Sequence, residues 1–137
     1  MRIAVVFFGE KRRDKLLSVS KSLAKGIESQ GHQVDIIDGT RDVNTKLTIH
    51  QYVAVGSEAV TAFKGWIPEK VSAYLANAGM VAGKRSFAFV IKTFFGAAKA
   101  LFNLMKSMER EGMYLKFSEI IDSDVAAEEI GKRLHVD

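Results

Sequence analysis

The sequence predicts an α/β protein of three layers, with a five-stranded parallel sheet between helices on both faces. Short apolar runs rich in β-branched and aromatic residues are typical of strands that are buried on both sides. Segments with helical hydrophobic spacing alternate with these runs, and such alternation is typical of parallel strands joined by right-handed crossovers. The chain has 137 residues, 47% hydrophobic and 26% charged, with no visible linker. We therefore expect one domain over residues 1–137.

Five strands and four helices are expected along the chain. The strands are Arg2–Phe8, Gln33–Asp38, Tyr52–Ser57, Arg85–Lys92 and Tyr114–Ile121. The helices are Asp14–Ser29, a segment that begins near Pro68, Ala97–Glu111 and Asp122–Leu134. The polar segment Gly39–Gln51 has no amphipathic pattern, so an irregular crossover is expected there. Asp14 is a candidate N-cap of the first helix, and Gly31 is expected to end that helix. Asp122 or Ser123 is the candidate N-cap of the last helix.

Apolar residues at helical spacing predict which side of each helix faces the sheet. The predicted inward residues are Leu16, Val19, Leu23 and Ile27 in the first helix; Ile67, Val71, Tyr74, Leu75 and Ala78 in the second; Ala98, Leu101, Phe102, Met105 and Met108 in the third; and Val125, Ala126, Ile130 and Leu134 in the fourth.

Composition excludes several classes of protein. The chain has no cysteine, which excludes disulfides, thiolate zinc sites, iron–sulfur ligation and cysteine nucleophiles and fits a reducing compartment. Ile3–Phe8 is too short for a signal peptide, and no segment is long enough to span a membrane, so a cytoplasmic protein is expected. The net charge of +4 and a pI near 9.4 favour anionic ligands or partners, but are weak for a dedicated nucleic-acid binder.

Ligands of parallel sheets bind beyond the carboxyl ends of the strands, at the switch point next to the first strand. The loops that meet there are Gly9–Arg13, Gly56–Trp66 and Thr93–Ala97. Their residues contain no dinucleotide fingerprint and no Walker loop. A phosphoacceptor receiver is also disfavoured, because the first strand ends in Phe7-Phe8-Gly9 and the third in Val55-Gly56-Ser57, which leaves Glu10 as a lone acid.

Other chemistry is equally poorly supported by the residues. His32, His50 and His135 lack the spacing of metal ligands, and we expect all three on the solvated surface. Ser57 is not in a G-x-S-x-G motif, so a turn or capping hydroxyl is its expected role. We therefore predict no metal site and no catalytic side chain.

Three segments resemble the flavodoxin-like family, and together they cover nearly the whole chain. They are RIAVVFF with its loop and the helix–strand segment KLLSVSKSLAKGIESQGHQVDIID; YVAVGSEAVTAFKGWIPEKVSAYL; and KRSFAFVIKTFFGAAKALFNLMKSMEREGM. The resemblance implies the strand order 2-1-3-4-5 and FMN as the usual ligand. It implies phosphate contacts from Gly9, Glu10, Lys11, Arg12 and Arg13, with Asp14 at the end of the loop. It implies contacts to the isoalloxazine ring from Ser57, Trp66, Thr93, Phe94, Phe95 and Gly96, and places Gly56 among the cofactor-binding residues.

The first loop departs from the family pattern [ST]-x-[ST]-G-x-[ST]. It reads Gly9-Glu10-Lys11-Arg12-Arg13-Asp14, so the hydroxyls that would bind phosphate oxygens are missing. Backbone N–H groups at the helix start, with Lys11, Arg12 and Arg13, are possible replacements. The alternatives for these three side chains are a solvated basic turn and, less readily, contact with nucleic acid.

The roles of the aromatic residues in the loops also allow two interpretations. Trp66 is either local core or a platform for a ring. An exposed member of Phe94-Phe95 indicates a ligand wall or a contact between subunits, whereas Phe102, Met105 and Met108 are expected in the core.

Two functions follow. The first is an FMN flavoprotein for electron transfer or NAD(P)H-linked reduction, with a redox partner; if an enzyme, it would be an FMN-dependent oxidoreductase. The second is a non-redox binding or regulatory domain that has lost FMN and binds another anion or a protein partner. The basic pI disfavours a free-standing carrier of the acidic flavodoxin type.

Overall fold

A sheet of five parallel strands forms the centre of the computed structural model, which describes residues 1–61 and 64–137. The strands are β1 (Arg2–Phe8), β2 (Gln33–Asp38), β3 (Tyr52–Ser57), β4 (Arg85–Ile91) and β5 (Tyr114–Ile121). Their order is β2-β1-β3-β4-β5, which confirms the predicted order. Phe8 is in register with Ser57, and Ser57 with Val90, so the carboxyl ends of three adjacent strands are level.

The described residues form four helices: α1 (Arg13–Glu28), α2 (Lys70–Ala76), α3 (Ala97–Arg110) and α4 (Asp124–Arg133). The first three connect strands, and α4 follows β5. Asp14 does not cap α1, because the helix begins one residue earlier and its N-cap, Arg12, makes no side-chain capping bond. Ser123 caps α4, where its hydroxyl oxygen accepts a hydrogen bond from the Ala126 N–H at 3.1 Å. The segment between β2 and β3 has no helix, as expected from its polar sequence.

Alternate residues of each central strand face two separate cores. Ile3, Val5 and Phe7 of β1 pack in the core beneath α1 and α4. Ala4, Val6 and Phe8 pack in the core beneath α2 and α3. β3 and β4 contribute to both cores in the same way, so they are buried on both faces.

The predicted inward face of α3 is confirmed in part, since Met108 is fully buried and Leu101 and Met105 pack against the core. The helix is nevertheless rotated slightly from the prediction. Phe102 is 60% exposed, and Ala98 is exposed as well. The buried residues of α3 are Ala97, Ala100, Leu104, Ser107 and Met108. Two tertiary contacts hold this rotation: the Asn103 amide donates to the Gly65 carbonyl oxygen at 2.9 Å, and the Ser72 hydroxyl donates to the Ser107 hydroxyl at 3.4 Å.

Two further sequence predictions about burial are wrong. Val125 is 76% exposed, because α4 turns Ala127 and Gly131 toward the protein instead. His50 is only 4% exposed, and its Nε2 atom lies 2.7 Å from Asp35 Oδ2. His135 is exposed as predicted, and His32 is partly buried. Over residues 1–61 and 64–137, no helix has the length and apolar character needed to cross a membrane.

Candidate functional site

Three loops meet at the carboxyl ends of β1, β3 and β4, where the sequence places the candidate site. They connect β1 to α1, β3 to α2 and β4 to α3. Gly9 makes the first of these turns possible, since a Cβ atom at this position would lie 2.8 Å from the Arg13 Cα atom. Ala62 and Phe63 of the predicted second loop lie outside the described residues.

The first loop is closed by a carboxylate from the second. Glu58 directly follows β3 and is fully buried. Its carboxylate accepts hydrogen bonds from the backbone N–H groups of Glu10, Lys11 at 3.1 Å and Arg12 at 3.2 Å. These donors precede the first turn of α1, where the helix dipole also favours a negative charge. The chain's own carboxylate therefore takes the anion-binding groups of this loop.

The residues before Glu58 are buried and hold it in place. The Ser57 hydroxyl donates to the Glu58 carbonyl oxygen at 3.1 Å, so Ser57 acts as the turn hydroxyl that was expected. A Cβ atom at Gly56 would overlap the ring of Phe89, and Phe89 is itself fully buried. Gly56 and Ser57 thus lie beneath the loops.

The arginine side chains of the first loop both have partners within the protein. Arg12 Nη1 donates to the Lys92 carbonyl oxygen at 3.1 Å, so its side chain crosses the end of β3 to reach the end of β4. Arg13 Nε donates to Asp38 Oδ2 at 2.9 Å, in an ion pair that is largely buried, and its guanidinium lies 5.7 Å from the Phe7 ring centroid. The side chains of Lys11 and Glu10 are exposed.

The Asp38 carboxylate accepts hydrogen bonds from Arg13 and from the side chain and N–H of Thr40, and Arg41 Nε lies 3.7 Å from its Oδ2 atom. Burial raises its pKa, but hydrogen bonds from the Thr40 side chain, from Arg13 and from the Thr40 N–H outweigh burial and leave the pKa below its ordinary value. Asp38 therefore stays ionised at neutral pH and keeps Arg13 directed toward β2, on the far side of β1 from Glu58.

Among the described residues, the second and third loops expose three aromatic side chains. Trp66 is 57% exposed, Phe94 92% and Phe95 48%. The rings of Phe94 and Phe95 meet edge to face, with centroids 4.6 Å apart. The Thr93 hydroxyl donates to the Phe95 carbonyl oxygen at 2.6 Å, and Gly96, with φ of 84°, is the N-cap residue of α3. Such exposure of large apolar side chains is typical of a contact surface.

Trp66 lines two grooves in this region. One, of about 570 Å³, is lined by Glu10, Thr61, Ile67 and Pro68 among others. The other, of about 400 Å³, lies between α2 and α3. Neither groove includes Phe94 or Phe95, so the aromatic residues of the two loops do not line a common slot in these two grooves.

The residues present do not fit an FMN phosphate in this arrangement. A phosphate would need the N–H groups of Glu10, Lys11 and Arg12, which the Glu58 carboxylate already holds. A dianion placed beside that buried carboxylate would also meet like-charge repulsion in a poorly solvated region. The ring side of the site differs, since Trp66 and Phe94 are open to an aromatic contact.

Glu58 is the residue that sequence reasoning missed. The sequence signal was present, because an acid follows Gly56-Ser57 at the end of a buried strand and the neighbouring loop lacks hydroxyls. To interpret this signal, Glu58 had to be placed beside Glu10, which lies 48 positions earlier in the chain.

Comparisons with known proteins indicate the fold. No protein-family model matches the sequence, and no curated protein matches it significantly. Among solved structures, a flavodoxin from the domain Archaea is 20% identical, with a TM-score of 0.71 over 97% of this chain and 95% of that one. Flavodoxin 1 from Bacillus cereus is 12% identical, with a TM-score of 0.71 over 96% and 95%. The flavodoxin from Megasphaera elsdenii is 13% identical, with a TM-score of 0.68 over 95% and 96%. The chain has the flavodoxin-like fold.

Proposed function

We propose that this chain is a non-redox binding domain of flavodoxin-like fold, which does not hold FMN through its first loop and instead binds a protein partner. The buried Glu58 carboxylate carries this proposal, since it satisfies the N–H groups that a phosphate would need. FMN could use them only after Glu58 had left a fully buried position.

The neighbouring side chains support the same conclusion. Arg12 and Arg13, two of the three cations of the first loop, are engaged with Lys92 and Asp38. A charge-assisted contact from either arginine to an incoming phosphate would require its present hydrogen bond to be broken, which leaves the exposed Lys11 side chain as the loop's other cation. Recognition is then left to the exposed side chains at this edge of the sheet, among them Trp66 and Phe94.

A titration with FMN, followed by quenching of flavin fluorescence, tests the proposal. The purified protein should be colourless and should show no saturable quenching up to about 1 mM FMN. Glu58→Ala should gain measurable FMN binding, because it frees the three N–H groups. Glu10→Ala is the matched control, since it removes an exposed acid from the same loop without touching those bonds. Quenching of the unaltered protein with a Kd of about 10 μM or less would overturn the proposal.

A second candidate is an FMN flavoprotein in which the phosphate displaces Glu58, with electron transfer or NAD(P)H-linked reduction as its role. The exposure of Trp66, Phe94 and Phe95 favours it, because the family resemblance implies ring contacts at these positions. In that case the unaltered protein would quench FMN fluorescence, and Trp66→Ala would weaken the quenching. Riboflavin, which lacks the phosphate, separates ring binding from phosphate binding in the same assay.

A further inference from the structure

The segment from Lys92 to Lys106 presents a face that combines aromatic and basic side chains. It contains three phenylalanines, three lysines and no acidic residue. All six side chains are exposed: Lys92, Phe94, Phe95, Lys99, Phe102 and Lys106. We call these six residues the Phe-Lys face.

The backbone of α3 brings part of this face together. Lys99, Phe102 and Lys106 are three and four residues apart and so lie on one side of the helix, directed away from the core. The Lys106 ammonium lies 5.2 Å from the Phe102 ring centroid. Phe94 and Phe95 stand at the N-terminal end of the same helix, with their rings edge to face.

A groove adjoins this face between α2 and α3. It has a volume of about 400 Å³, and Trp66, Ile67 and Pro68 form its apolar wall. Lys106 and Arg110 line it as well, with Glu69 as its acidic residue. Lys106 belongs to both features, so the groove and the face are continuous.

We propose that the Phe-Lys face and its groove bind an acidic protein segment, whose carboxylates pair with Lys99 and Lys106 and whose apolar side chain enters the groove. The proposal rests on the proposed function, since it names the partner of a domain that does not use FMN. Anchor side chains of binding partners commonly bind in concave apolar sites with a charged rim. Opposite charges on the two partners would also steer their association.

The geometry favours a protein over a nucleic acid. Binding of single strands requires open ring faces on which bases stack. Here the Lys106 ammonium lies over the Phe102 ring, and the Phe94 and Phe95 rings are turned edge to face, so these two rings do not present parallel faces to successive bases. The groove between α2 and α3 offers a concave surface for one side chain instead.

Fluorescence anisotropy with a labelled peptide of alternating glutamate and leucine residues tests the proposal. The peptide should bind, and Lys99→Glu with Lys106→Glu should weaken binding by about tenfold or more. Phe94→Ser with Phe102→Ser should do the same. The matched control is Lys21→Glu with Lys116→Glu, which changes the net charge equally at exposed positions elsewhere and should leave affinity within about twofold.

Several outcomes would overturn the proposal. One is the lack of peptide binding at about 1 mM protein, and another is equal weakening by the control pair, which would indicate general charge attraction. Tighter binding of an oligothymidylate or of phosphatidylserine vesicles, with loss in the face variants, would assign the face to nucleic acid or membrane instead. The outcome of the FMN titration is independent of the outcome of the peptide assay. If the protein binds both FMN and the peptide, only the proposed function is overturned. Circular dichroism verifies that each variant is folded.

Discussion

Glu58 connects two loops through one buried carboxylate, so its removal should be costly. Glu58→Ala leaves the N–H groups of Glu10, Lys11 and Arg12 without their acceptor, and water has poor access there. We expect the free energy of unfolding to fall by about 2–3 kcal/mol in urea denaturation at pH 7. Glu10→Ala, an exposed change in the same loop, should cost no more than about 0.5 kcal/mol. Equal effects of the two variants would contradict this account.

Inorganic phosphate should partly restore the Glu58→Ala variant. The vacated N–H groups at the start of α1 are the kind of donors that bind phosphate at helix N-termini. A ligand that binds only the folded state stabilises it, so about 20 mM phosphate should raise the Tm of this variant. Chloride at equal ionic strength should not, and the unaltered protein should respond alike to both salts. If phosphate and chloride act equally on the variant, the loop does not bind anions once it is opened.

Asp38 should contribute to stability in a pH-dependent way. Its pKa in the folded protein lies below the ordinary value of 3.8, so its contribution is fully present above that value and is lost as pH falls through the folded pKa. Asp38→Asn should lower the free energy of unfolding at pH 7 by about 1–3 kcal/mol, because the Arg13 guanidinium loses its charged partner.

The acid limb of the stability curve distinguishes this effect from a general loss of packing. Between about pH 5 and pH 2, the Asp38→Asn variant should lose less stability than the unaltered protein, as urea denaturation at each pH would measure. Part of the acid limb should persist, because hydrogen bonds from Arg2 and His50 also lower the pKa of Asp35. Parallel curves for the two proteins would exclude a pKa effect at Asp38.

The packing of α1 against α4 depends on two glycines that face each other. A Cβ atom at Gly131 would lie 2.9 Å from the Gly26 Cα and Ile27 N atoms, and one at Gly26 would lie 2.8 Å from the Lys132 N atom. Backbone atoms cannot move aside as a flexible side chain can. Gly131→Ala should therefore lower the free energy of unfolding by about 1–3 kcal/mol, although alanine favours helix by about 1 kcal/mol.

Urea denaturation of Gly26→Ala, Gly131→Ala and the double variant would measure this contact. The losses should not add, because one separation of the helices accommodates both methyl groups. A gain of stability in either single variant is what helix propensity alone predicts. It would show that α1 and α4 pack less closely at these glycines than the structure indicates.

Strands, their order and the position of the loops could be predicted from the sequence, whereas the rotation of α3 and the occupant of the first loop could not. Runs such as Ile3–Phe8 carry their own signal, because a strand buried on both faces needs apolar residues throughout. Phe102 has no such signal, since contacts of Asn103 and Ser107 with distant residues decide which side of α3 is buried. Glu58 meets its three donors only after the chain has folded.

The two cores share one sheet, so the protein should unfold as a unit. β1, β3 and β4 contribute alternate residues to each core. Both cores would therefore lose packed side chains if these strands separated. Leu16 in α1 and Leu104 in α3 are fully buried on opposite faces. Leu16→Ala and Leu104→Ala should each cost about 2–5 kcal/mol.

Hydrogen exchange would show whether the loss of stability in each variant affects the helices on both faces of the sheet. In either variant, the most protected amides of both α1 and α3 should exchange faster by the same factor, because these amides open only with global unfolding. Lys21→Ala, at an exposed position of α1, is the control and should leave both helices close to the unaltered rate. Faster exchange confined to the helix that carries the substitution would mean that the layers on the two faces open separately.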